Sequence, residues 1–290
     1  MNEPKTLRAK AALLSAFSLA FILAIWFTAT LPTKTAAPTL TAEQSEYAKL
    51  MGKDPQAGGG APSKSAFPTP AQMGSAIVGH LSDPFYDNGP NDKGIGLQIS
   101  YSLARVGLGF SLAALFAIPL GFLIGMSPLA YRALDPFIQL LKPISPLAWM
   151  PIALYTIKDS SISGIFVIFI CSVWPMLTNT AFGVAGVRRE WLNVSRTLQV
   201  TPIRKAIEVI LPAAAPTILT GMRISMGIAW LVIVAAEMLV GGTGIGYFVW
   251  NEWNNLSLTN VIFAILVIGV VGMALDLVFA TAQKAVTYAE

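Results

Sequence analysis

NVSRTLQVTPIRKAIEVILPAAAPTILTG, residues 193–221, is a polar stretch set between two long apolar ones. Residues 193–198 hold no glycine or proline and place Val194 and Leu198 four apart. Thr201 and Pro202 then supply a threonine N-cap and a proline at the first helical position. The pattern predicts two short helices in a loop. Arg196, Arg204 and Lys205 keep the segment out of hydrocarbon, while Val194, Leu198, Ile203, Ile207 and Ile210 give it an apolar face. A short amphipathic helix beside a membrane either lies in the interface or docks into a groove on a partner.

The flanking sequence supplies the membrane. Of 290 residues, 54% are hydrophobic and only 12% charged, whereas a soluble domain carries about a quarter charged residues. The net charge of +4 does not point to nucleic acid, because the basic residues are dispersed among apolar runs rather than gathered in a stripe with aromatics. Basic loops facing anionic lipid account for it. A single cysteine, Cys171, and a single histidine, His80, exclude an intrachain disulfide, a cysteine metal cluster and a histidine cluster.

Outward from the opening stretch, the pattern predicts an all-α protein with six membrane-spanning segments, at residues 11–31, 97–125, 133–157, 164–187, 213–239 and 260–281. Residues 1–31 read as a cytoplasmic N-terminus and a first span, too long in its apolar run for the core of a cleaved signal peptide. Residues 32–96 read as a periplasmic loop with linker at GGGAPSK (58–64) and FPTPAQ (67–72) and a short amphipathic helix at 71–81. Residues 97–290 form the core, joined after the second span by a tight turn at MSPLAYR (126–132). Pro136, Pro143, Pro146 and Pro151 cannot all sit inside one unbroken third helix. A broken helix survives in a membrane only where protein or a water-filled cavity satisfies its freed backbone, so this span is a candidate pathway wall. Arg188, Arg189, Arg196, Arg204 and Lys205 gather in residues 188–209, on the side that the positive-inside rule makes cytoplasmic. The run GGTGIGYFVWNEWNN (241–255) is then a periplasmic turn, with Tyr247, Trp250 and Trp253 suited to an interfacial aromatic belt.

No nucleotide motif is present: the Gly, four residues, Gly-Lys-Ser/Thr run of a P-loop occurs nowhere, nor does a Ser-His-Asp set. The ionisable residues at membrane depth are the candidate solute contacts. Arg105 falls in the outer part of the second span and Lys142 near the middle of the third. Arg223 lies about 16 Å into the fifth, and Glu237 about 21 Å farther along the same helix, too far for the two to pair within it. These charges either pair between helices or line an anion path.

The opening stretch carries a resemblance. Permease subunits of ABC importers share a loop of Glu-Ala-Ala, three residues, Gly, a spacer, then an apolar residue and Leu-Pro. It is matched here by Asn193-Val194-Ser195, Arg196-Thr197-Leu198, Gln199 and Ile210-Leu211-Pro212. Asn193 departs from the Glu and Gln199 from the Gly, where a positive φ is strained for a residue with a Cβ. The resemblance extends through LPAAAPTILTGMRISMGIAWLVIVAAEML (211–239) and KPISPLAWMPIAL (142–154), a pattern similar to permeases for nitrate, bicarbonate, taurine and sulfonates. DPFYDNGPNDKG (83–94) and WNEWNN (250–255) look most like the nitrate permeases. The resemblance implies a type I importer fold with residues 193–199 as a cytoplasmic coupling helix, and a cargo of nitrate or nitrite ahead of bicarbonate, cyanate and taurine or sulfonates. It also implies a second permease copy, a periplasmic binding protein or domain, and two separate ATPase subunits that carry the ATP and magnesium. A membrane enzyme lacks a catalytic constellation here, and a non-transporting scaffold remains the other alternative.

Overall fold

The structure is a computed structural model and describes residues 5–30, 67–89 and 91–286. The expected linker at 58–64 lies outside them. Residues Met1–Gly79 form one compact unit and His80–Glu290 a second.

In the first unit, α1 (Lys5–Ala29) contains a 20-residue apolar run with none of it buried. Near its end the Trp26 indole donates to the Pro68 carbonyl at 3.0 Å and meets the Phe67 ring edge-on. The expected amphipathic helix forms as α2 (Pro70–Ser82), opened by Thr69 and Gln72, whose side chains each accept from the other's backbone N–H.

The second unit is built on α3 (Ile95–Met126), α6 (Ser160–Ala185) and α9 (Leu211–Val240). α6 packs against both of the others, and small residues let it come close. A Cβ on Gly109 would strike Ile168, one on Gly121 would strike Thr180, and one on Gly221 would strike Asn179. The Ser225 hydroxyl donates to the Ser172 carbonyl across the second seam, at 2.7 Å. α11 (Leu258–Val286) is tied to α9 by the Trp230 indole, which donates to the Ile268 carbonyl at 3.0 Å.

The third span breaks as its prolines require. α4 (Pro128–Leu141) ends at Lys142, and a 3-10 turn (Pro146–Trp149) then leads into α5 (Met150–Ile157), the two halves meeting at 86°. Pro136 is accommodated inside α4, and the break falls around Pro143. The expected MSPLAYR turn shrinks to Ser127, whose hydroxyl caps α4 by accepting from Ala130 N, so this helix starts five residues before the expected 133. Among the described residues, five helices are long and apolar enough to cross a membrane, and the bent pair makes six if it is one span.

The opening stretch differs from expectation in two ways. Its first helix forms as α7 (Arg189–Thr197), but the second does not remain separate. α8 (Pro202–Lys205) continues through a π-turn (Ala206–Ile210) into α9, as one apolar helix from Pro202 to Val240. Pro212 directly follows the π-turn, so its missing N–H falls where the helix is already passing from five-back to four-back bonding. Secondly, Gln199 adopts the left-handed conformation despite its Cβ, with φ 53°. Two hydrogen bonds hold it there, Gln199 N to Arg196 O at 3.0 Å and Val200 N to Ser195 O at 3.1 Å, the pair that closes a Schellman motif. The resembling loop's glycine geometry is therefore kept without the glycine.

A further helix, α10 (Ile245–Asn254), occupies most of the expected turn at 241–255. Residues 241–244 make the turn itself, with Gly241 and Gly242 at φ 78° and 94°. Ile245 and Phe248, three apart and both buried, give α10 the face that sequence reading overlooked.

Candidate functional site

Chain alternation puts α7 at one end of the second unit and α10 at the other. At the α7 end, Leu192 packs against a cluster of Val184, Val187, Ile210, Ala214 and Ile218, drawn from α6 and the turn after it, the π-turn and α9. Ser195 is buried on the same side and donates to the Leu192 carbonyl at 2.8 Å. The other side of the loop is exposed: Val194 is 59% exposed, Leu198 71%, Ile203 75% and Ile207 58%. Asn193, Arg196, Thr197 and Gln199 surround these with polar surface. The loop thus grips the bundle with one face and presents an apolar patch on the other.

At the α10 end the charges are paired. Arg105 on α3 bridges Glu237 on α9 at 2.7 Å, donates to the Thr243 carbonyl at 2.6 Å and reaches the Ser161 hydroxyl at 3.1 Å. Glu237 is buried and also accepts from Ser102 and from the Gly246 backbone N–H. Gln98 and Ser102 accept from the N–H groups of Gly244 and Ile245 at 2.6 and 2.9 Å. The first backbone donors of α10, which have no partner within their own helix, are therefore met by three side chains from α3 and α9. A Cβ on Gly244 would overlap the Glu237 carboxylate, so glycine is required there. Gln98 and Ser102 were missed by the sequence reading, although their spacing with Arg105, four and then three residues, draws a polar stripe along one face of an apolar helix.

Beside this clasp, Asp87 and Lys93 close a short hairpin at 2.9 Å, and Tyr247 donates to Asn91 at 2.8 Å. Bonding to Lys93 holds the Asp87 carboxyl below its usual range. Tyr86 is pushed up to about 12, first by burial and then by its hydrogen bond to Asp92 and the charges of Asp92, Glu252 and Asp83. His80 stacks on Phe263 and bonds Asn260, which in turn donates to Glu252 at 2.7 Å.

The remaining charges divide. Arg223 on α9 makes a two-pronged pair with Asp276 on α11, at 2.5 and 2.6 Å. Lys142 has no ion-pair partner among the described residues and lines a cavity of about 590 Å³ between α4, α6 and the end of α3. Arg132, Asp135 and Gln139 line the same cavity, opposite Leu177, Thr178 and Ala181. The structure thus brings Arg105 to Glu237, takes Arg223 to a different acid, and leaves Lys142 apart from both pairs.

Residues 117–287 match the family described as binding-protein-dependent transport system inner membrane component. The chain belongs to that family. Among its relatives, the nitrate import permease protein NrtB of Synechocystis is 46% identical over 226 residues, 78% of this chain and 82% of that protein. The bicarbonate transport system permease protein CmpB of the same organism is 44% identical over 205 residues, 70% of this chain and 73% of the relative. In fold, the chain is similar to a chain of the MetNI methionine ABC transporter, at TM-score 0.58 and 15% identity over 66% of this chain and 95% of that one. This family member is the permease subunit of an ABC importer, all-helical, with its spans carried by the helices described above.

Proposed function

We propose that this subunit carries nitrate or nitrite, with bicarbonate next and cyanate, taurine or sulfonates behind. It works with a second permease copy, two ATPase subunits that hold ATP and magnesium, and a periplasmic binding protein or domain. The observation that carries the coupling is the two-faced loop. Residues 193–199 expose Val194 and Leu198, while Leu192 on the same helix packs against the cluster drawn from α6 and the turn after it, the π-turn and α9. An ATPase subunit that moves α7 therefore moves the ends of two core helices together, and the outer and inner openings of a central path alternate. Under this reading the α7 end and the N-terminus are cytoplasmic, and α10 is periplasmic, in keeping with the basic residues of 188–209.

Nitrate ranks first because three nitrate permeases are 44 to 47% identical against 44% for bicarbonate permeases, and because 83–94 and 250–255 look most like the former. The margin is narrow, so the test is competitive. The reconstituted complex should take up labelled nitrate on ATP hydrolysis, with excess nitrite competing more strongly than bicarbonate. Stronger competition by bicarbonate, or uptake of a cation, refutes the nitrate reading.

A further inference from the structure

We infer that the cavity between α4 and α6 is a weak-binding vestibule for a small monovalent oxyanion on the α7 side of the protein, in which Arg132 and Lys142 attract the ion and Asp135 loosens their hold. The inference rests on the transport reading above and adds the place and the residues. Arg132, Asp135, Gln139 and Lys142 follow one another at intervals of three, four and three, which puts them on one face of α4. That face belongs to a segment apolar enough to count toward the spans, and all four side chains line the cavity. Four polar side chains in line on a membrane-embedded helix call for water or polar cargo beside them.

Charge distinguishes this wall from the other intramembrane sites. Arg105 and Arg223 are each neutralised by a carboxylate within bonding distance. Among the described residues, neither Arg132 nor Lys142 has an ion-pair partner, and Asp135 accepts only a long 3.4 Å bond from Gln139. Two cations against one acid leave the wall net positive. The opposite wall is mostly apolar, with Leu177, Ala181 and Phe182, and low-dielectric walls concentrate such a field rather than screen it. At 590 Å³ the space is much larger than an anion of a few atoms, so the ion keeps water about it and is held loosely, as conduction requires. The two cations stand about 15 Å apart along α4, far enough to pass an ion between them rather than to chelate it.

The competing explanation is an ion pair between two permease copies, with Arg132 of one facing Asp135 of the other. Uptake of nitrate per ATP hydrolysed by the reconstituted complex separates the two. Arg132→Gln and Lys142→Gln should each lower the ratio several-fold with subunit stoichiometry unchanged, and Arg132→Lys and Lys142→Arg should restore most of it. Asp135→Asn should make uptake saturate at lower nitrate and reach a lower maximum, because the ion is held more tightly. Unchanged uptake in both glutamine variants overturns the vestibule, and so does a loss of subunit stoichiometry in Arg132→Gln that the charge swap Arg132→Asp with Asp135→Arg restores, since that is the behaviour of a pair between copies. A wild-type complex that transports bicarbonate and not nitrate refutes the nitrate proposal alone; the same variants assayed with bicarbonate then decide the vestibule.

Discussion

Glu237→Gln removes one charge from the clasp and leaves nearly every atom in place. Arg105, whose side chain is 13% exposed, then remains beside a neutral amide whose single oxygen cannot receive both it and the Gly246 N–H. Removing one partner of a buried ion pair costs about 3 to 5 kcal/mol, because the other charge stays desolvated. The loss should fall on the start of α10, since the same carboxylate receives the Gly246 N–H and sits against Gly244. Amide hydrogen exchange of the complex in lipid nanodiscs, followed on peptides covering 241–250, reads it directly. At about 1.4 kcal/mol per tenfold, exchange at residues 244–246 should accelerate by roughly 100- to 4,000-fold. The double variant Arg105→Met with Glu237→Gln should recover much of that protection, because no unpaired charge is left. Wild-type protection in Glu237→Gln, or a double variant as exposed as the two single effects combined, would refute the clasp as the anchor of α10.

Three further outcomes are expected. Leu198→Asp places a charge on a side chain that is 71% exposed in the free subunit; losing most of its burial, about 1 to 2 kcal/mol, and desolvating a carboxylate should weaken ATPase-subunit binding by at least about tenfold, and retained wild-type affinity in a binding assay would contradict docking through α7. Gln199→Gly should relieve about 1 kcal/mol of left-handed strain and slow amide exchange at Val200, whereas Gln199→Val should do the reverse. Because Tyr86 is raised from its ordinary 10.0 to about 12, the unfolded chain releases this proton first, so the stabilisation it gives is full below pH 10 and is lost as pH rises toward 12; Tyr86→Phe should flatten that part of the alkaline unfolding profile.

The sequence was most legible where a single segment determines the outcome. Apolar run length marked the spans and the four prolines showed that the third could not be continuous, whereas Thr69, Pro70 and Gln72, read as linker, open α2 by local bonds. It was least legible where a local rule is outvoted. Gln199 breaks the glycine rule because two backbone hydrogen bonds over-determine its conformation, and Pro212 does not end a helix because the π-turn just before it takes up the missing bond. The charge partners were invisible for another reason. Arg105 and Glu237 lie 132 residues apart and Arg223 and Asp276 lie 53 apart, so no periodicity links them; only the packing of α3, α9 and α11 does. The polar stripe on α4 was in the sequence throughout, but placing the helix start at 133 left Arg132 in a loop and concealed that it shares a face with Asp135, Gln139 and Lys142.

The π-turn at 206–210 acts as a change of phase. In an unbroken α-helix, Ile203, Ile207, Ile210 and Ala214, spaced four, three and four apart, would lie along a single stripe. Here Leu211 N reaches back five residues to Ala206 O, and the stripe is split: Ile203 and Ile207 turn outward at 75% and 58% exposure, while Ile210 and Ala214 stay inside at 4% and 0%. One surplus residue in a turn thus divides a single hydrophobic seam between two clients, the bundle on one side and whatever meets the loop on the other. Were residues 206–210 to take regular α bonding with no residue removed, the two halves of the seam would rejoin, and the outward isoleucines would be withdrawn with no change in their identity.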